Sequence, residues 1–142
     1  MKTRFLFLIL PLLLLQSIAT GQAEKTFVKS FNLMGRQSVV LNLGNNVQVS
    51  SWDNDVVRVQ MTVAAHTTEA TLKALAESGR YILKSDYTEH DFTISAPNLS
   101  KTVKLNGVEL KEQISFLIFL PKNVTYLKQT DIQPKTAITI NP

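Results

Sequence analysis

The chain reads as a mainly β domain, an antiparallel or solenoid-like sheet with one short helix packed on it, behind an export leader. Three observations predict this. Apolar residues recur at every second position across most of the 142 residues, which is the period of a strand with one buried face. A single internal stretch, 67–79, changes to helical spacing. Asn and Gly cluster between the alternating runs, where tight turns join strands.

The leader comes first. Lys2 and Arg4 precede an apolar run from Phe5 to Leu15, and small residues follow at Ala19, Gly21 and Ala23. That is the pattern of a secretory signal peptide. The run is far shorter than the roughly 20 residues a membrane-crossing helix needs, so cleavage is expected after Gly21 or, preferably, Ala23. Residues 1–23 would leave as the signal peptide, and 24–142 would form a single domain with no transmembrane segment. About 119 residues suit one core, burying roughly two-thirds of the surface of the unfolded chain. The chain has no cysteine. This excludes a lipid anchor on an N-terminal cysteine and leaves the fold to rest on burial and backbone pairing without disulfides. The expected location is secreted or periplasmic, in the cell envelope, and not as a lipoprotein.

The elements follow in order. Phe27, Lys29, Phe31 and Leu33 share one face of an extended segment, and Val39, Leu41 and Leu43 share one face of the next. Gly44-Asn45-Asn46 makes a turn. Val47 and Val49 then alternate with Gln48 and Ser50, Trp52 enters the turn Asp53-Asn54-Asp55, and Val57, Val59, Met61 and Val63 alternate with Arg58, Gln60 and Thr62. This pair is expected to form a hairpin with one wet face. In 67–79, Leu72, Leu75 and Ala76 recur at helical spacing, Thr67 or Thr68 can cap the start, Glu69 suits the positive end, and Gly79 can close the last turn. The narrow apolar stripe suits a helix that seals the edge or face of a sheet.

Strands resume at Tyr81, Leu83 and Ser85, pause over Asp86 to Asp91, and continue through Phe92, Ile94 and Ala96 to Pro97-Asn98. Asn106-Gly107, between Val103, Leu105 and Val108, Leu110, is the clearest two-residue hairpin turn in the chain. The run Ile114 to Leu120 is apolar on both faces and should be a central strand stopped by Pro121. Ala137 to Ile140 alternate well enough for a last strand, with Pro134 and Pro142 suggesting an edge.

Three stretches in this order, NVQVSSWDNDVVRVQMTV (46–63), TLKALAESGRYIL (71–83) and KTVKLNGVELKEQISFLIFLPKNV (101–124), resemble a family of bacterial secreted adhesins. That family is related to the head-domain adhesin type, whose members stack β-solenoid coils. The resemblance covers about half the chain beyond the leader. It implies an adhesive or structural role and carries no catalytic residues. In longer relatives further rungs follow the Leu-Pro-Lys segment, whereas here eighteen residues follow Val124.

Charge and side-chain chemistry narrow the function classes. The formal net charge is +4, from 15 Lys and Arg against 11 Asp and Glu, and two of the fifteen lie in the leader. The remainder are scattered singly, so the basic cluster of a nucleic-acid or anionic-membrane binder is missing. Asp53, Asn54 and Asp55 gather oxygen ligands, but Val56 and Val57 stand where a calcium loop would continue, so a backbone-bonded polar turn is expected. Asp86, Glu89, His90 and Asp91 form the densest cluster of acid-base groups. They sit in one connection, with the other histidine, His66, distant in sequence. Ser85 and Ser115 lie in no nucleophile elbow, and Glu109 and Glu112 are expected to project into water beside the hairpin. Asn98-Leu99-Ser100 and Asn123-Val124-Thr125 match the glycosylation pattern. No catalytic, cofactor or metal residue is assigned, and no cofactor is expected. Trp52, Tyr81, Tyr87 and Tyr126 are the candidate interaction surface, since aromatic rings join large area to a polar edge.

The expectation is therefore a non-enzymatic, adhesin-like module whose partner, a protein or a second copy, binds an open sheet edge. The alternative is a periplasmic protein holding a metal or saccharide in a pocket between helix and sheet. A hydrolase using the loop 86–91 is a third reading.

Overall fold

The computed structural model describes residues 21–129. The leader positions up to residue 20 and the strand expected at Ala137 to Ile140 lie outside the described residues. The architecture is mainly β with one short helix. The described residues form ten strands: β1 (Ala23–Asn32), β2 (Ser38–Asn42), β3 (Val47–Trp52), β4 (Val56–Ala65), β5 (Lys84–Tyr87), β6 (Asp91–Ser95), β7 (Lys104–Leu105), β8 (Val108–Glu109), β9 (Glu112–Pro121) and β10 (Thr125–Lys128). The helix, α1, spans Glu69–Glu77 between β4 and β5.

Two mixed four-stranded sheets share one core. The first has the order β1-β4-β9-β3 and the second β10-β2-β6-β5, while β7 and β8 form a small separate hairpin. Period-two burial builds the core from both sheets: Val57, Val59, Met61 and Val63 from β4, Phe116, Ile118 and Leu120 from β9, Val39 and Leu41 from β2, and Phe92 and Ile94 from β6. Leu72 from α1 joins the same cluster. Mixed pairing around one core replaces the expected antiparallel sheet or stacked coils. β3 runs parallel to β9, and β2 runs parallel to both β6 and β10.

β9 is central, as its apolar run requires, and this breaks the expected hairpin. β3 and β4 do not pair with each other; β9 lies between them, parallel to β3 and antiparallel to β4. Two interstrand spacings amount to about 10 Å, which the turn Asp53-Asn54-Asp55 can bridge. Local alternation is identical in both arrangements, so the most apolar strand takes the middle place by burying more surface there.

The helix keeps its expected signals. Thr68 Oγ1 accepts from the Thr71 N–H at 3.2 Å. The end is a Schellman motif, with Arg80 N–H donating to Leu75 O and Gly79 N–H donating to Ala76 O, both at 3.0 Å. Gly79 has a φ of +87°, which the motif demands and glycine supplies at least cost. α1 packs beside β1 and so seals that side of the first sheet. The motif also shifts the next strand: Tyr81 is a buried turn residue, β5 begins only at Lys84, and Tyr87 belongs to β5 instead of the following loop. At Asn106-Gly107, φ values of +49° and +79° give the expected two-residue turn, although each arm has only two paired residues.

Candidate functional site

Each four-stranded sheet has two edges, and those of β1 and β5 are guarded. β1 lies against α1, and Lys29 Nζ closes the same side by donating to Leu83 O at 2.9 Å. β5 is fully exposed but carries Lys84 and Asp86, charges of the kind that discourage edge pairing. Arg36 lies 4.2 Å from the Tyr87 ring centroid and donates from Nε to Thr88 O, covering the end of β5. β10 ends in Lys128. β3, Val47–Trp52, reads VQVSSW and contributes neither charge nor proline.

The direction of its free backbone groups follows from the register. Asn46 O accepts from Phe116 N–H at 2.9 Å, and Val47 is aligned with Phe116. In a parallel ladder, alternate residues then bond to the neighbour, so Gln48, Ser50 and Trp52 face β9. The N–H and C=O groups of Val47, Val49 and Ser51 point away from the sheet. Val47 O receives Lys128 Nζ at 2.7 Å; no described strand pairs with Val49 or Ser51 on that side. At the far end, Trp52 is held by its Nε1 donating to Val56 O at 2.9 Å and by Phe119, 5.4 Å away between ring centroids. Asp53, just past the strand, is paired with Lys122 at 2.5 Å.

A buried polar cluster stands at the start of β9, beyond the part that pairs with β3. The guanidinium of Arg80 donates to Asn98 O, to Lys101 O and to Glu112 Oε2, the last at 2.6 Å. The Tyr81 hydroxyl donates to Glu112 Oε1 at 2.6 Å, and its ring stacks on Phe27 at 5.1 Å. Burial and the Glu112 carboxylate together push the Tyr81 phenol well above its ordinary range. This corrects the expectation that Glu112 projects into water: its side chain is 6% exposed. The signal was present in the strand period. Glu112 shares its parity with Ile114, Phe116, Ile118 and Leu120, and it sits opposite the small Ala65, which leaves room for the two partners.

The four aromatic candidates do not converge. Tyr81 is buried. Tyr87 and Tyr126 are exposed but stand on β5 and β10, the opposite edges of the second sheet. Trp52 is half-buried at the end of β3. Of the acidic groups in the 86–91 stretch, Asp86 accepts from the Tyr87 N–H at 2.8 Å, while Thr88 Oγ1 accepts from the backbone of Asp91 at 3.0 Å. His66 follows β4 in one sheet and His90 lies between two strands of the other. Among the described residues, no group of three or more His, Cys, Asp or Glu could hold a metal ion. Between helix and sheet, fully buried Leu72 fills the contact. A hollow of about 330 Å³ lies instead beside the β7–β8 hairpin, lined by Arg80, Leu99, Val103, Leu110 and Glu112 among others. Among the described residues no helix is long and apolar enough to cross a membrane.

No protein-family model matches the chain, and no curated protein matches it in sequence. Among solved structures it is similar to a putative cell adhesion protein from Clostridium sporogenes ATCC 15579, at 17% identity and a TM-score of 0.42. The similarity covers 75% of this chain and 46% of that one, so the chain spans less than half the length of that protein.

Proposed function

We propose that this chain is an exported, non-enzymatic, adhesin-like module that takes up a strand of another polypeptide along the outer edge of β3. The observation that carries this reading is the uncharged, proline-free edge whose Val49 and Ser51 backbone groups point outward. Strand addition draws its affinity from such groups. Natural proteins usually blunt an edge with charge, proline or a covering element, and the β1 and β5 edges are blunted in these ways. The Lys2–Leu15 pattern supports export, and the three resembling stretches, 46–63, 71–83 and 101–124, support an adhesive family. Two of the polar groups suited to acid-base work serve the fold: Glu112 anchors Arg80 and Tyr81, and Asp86 accepts from the Tyr87 N–H.

The test is photocrosslinking in the source organism from a diazirine amino acid placed at Ser51. An adduct joining the exported, leader-cleaved chain to another polypeptide chain is the expected result. A chain that keeps its leader inside the cell, or that yields no adduct to another chain from Ser51, overturns the reading.

A further inference from the structure

We infer that the polypeptide taken up by β3 is β3 of a second copy, paired antiparallel about a twofold axis at Val49, so that two four-stranded sheets become one of eight strands. This rests on the strand-addition reading and adds the identity of the partner. Three features of the edge carry it.

The first is parity. When a strand pairs with its own copy about an axis perpendicular to the sheet, each residue must meet one on the same face, since neighbours across a ladder share a face. A register centred on Val49 meets this condition. It sets Val49 against Val49, Val47 against Ser51, and Gln48 against Ser50. Val49 is partly buried and packs on the core, so the pairing covers apolar surface left at the sheet margin.

The second is direction. Val47, Val49 and Ser51 are the residues whose backbone groups face outward, and in this register they meet only one another. Every outward donor and acceptor of the three finds a partner. Val47 O already receives Lys128 Nζ, and a carbonyl oxygen has a second lone pair to offer.

The third is charge. Like charges directly opposite each other destabilise a strand pair, which works against self-pairing by most charged edges. β3 contributes none. The nearest cations, the two Lys128 side chains, would reach Val47 of each copy. These positions lie four residues apart along the ladder, about 13 Å and beyond the screening length of about 8 Å at physiological salt.

The experiment uses the leader-cleaved chain, 24–142, with light scattering and disulfide trapping. The cysteine-free sequence makes a single introduced thiol unambiguous. The wild type is expected to show twice the monomer mass at high concentration. Val49→Cys is expected to form a disulfide-linked dimer on mild oxidation, because a hydrogen-bonded antiparallel pair holds its Cα atoms about 5.5 Å apart, within disulfide range. Ser51→Cys, which would face Val47 of the other copy, is expected to form little. Val49→Pro removes an outward N–H that β9 does not use and should restore the monomer. Should that variant fail to fold, Ser51→Lys sets a cation beside Lys128 of the other copy and should give the same loss of dimer. A wild type that stays monomeric at high concentration, or a dimer that survives both substitutions, overturns the inference. A monomer that still crosslinks from position 51 to a different polypeptide overturns it while leaving strand addition intact. A crosslink from position 51 to residues 130–142 of the same chain removes both.

Discussion

Replacing Glu112 by Ala should remove a large part of the stability of the domain, although the residue lies next to a surface hairpin. The Arg80 and Glu112 side chains are only 8% and 6% exposed, and their closest atoms are 2.6 Å apart. Without the carboxylate, the guanidinium stays buried with only backbone carbonyls for company, and the Tyr81 hydroxyl loses its acceptor. Stranding one member of a buried ion pair costs about 3–5 kcal/mol. Total stability for a domain is about 5–15 kcal/mol, so the loss is about a fifth of it or more. At about 4–8 °C per kcal/mol for a domain of roughly 100 residues, the thermal midpoint should fall by at least about 12 °C. Urea unfolding followed by circular dichroism and by Trp52 fluorescence measures the change. Substituting both partners, Arg80→Met with Glu112→Leu, should recover part of the loss, because an apolar pair leaves no buried charge. The recovery stops short of complete, since the carbonyls of Asn98 and Lys101 also lose their donor. A Glu112→Ala cost below about 1 kcal/mol, the range of exposed pairs, would refute the argument that this pair is shielded from water.

Two further outcomes follow from the same region. The Tyr81 phenol is pushed upward from its ordinary value near 10, so its contribution is complete below pH 10 and is lost as pH rises through that value toward the folded-state pKa. Stability measured from pH 8 to 11 should therefore fall on the alkaline side, and Tyr81→Phe should flatten that fall while costing about 1.5–3 kcal/mol at neutral pH for a lost bond to a charged acceptor. Gly79→Ala should cost about 1–2 kcal/mol, the penalty for a side chain in the left-handed region, because φ is +87° and the new Cβ would also meet Ile82 Cδ1 at 3.1 Å. Chemical denaturation checks it, and an unchanged midpoint would contradict the cap.

Most of the local structure was legible because it depends on neighbours in the chain. The alternation through Val57, Val59, Met61 and Val63 identifies a half-buried strand wherever that strand is placed, and the Thr68 cap with Gly79 bounds a helix without reference to anything distant. Asn106-Gly107 is similar, since positive φ values are a local demand. Pairing was less accessible. The same period in β3 and β4 is compatible with a hairpin or with a third strand between them, and nothing in Val47–Val63 announces that β9 will enter. Tyr81 and Tyr87 illustrate the same gap in the aromatic set: one is buried by its contact with Phe27 and the other is left outside under Arg36.

By itself, the order of residues determined that the polypeptide forms strands around one short capped helix, because period, capping and turn chemistry act over a few positions. It also determined which side of the core strands β2, β4, β6 and β9 turns inward. Tertiary structure alone decided which strands became neighbours, and therefore which strands stand at the sheet margins. That choice is a competition among many long-range pairings for one apolar core. β9 wins the centre, displaces β3 to the margin, and turns the polar backbone groups of Val49 and Ser51 away from the sheet.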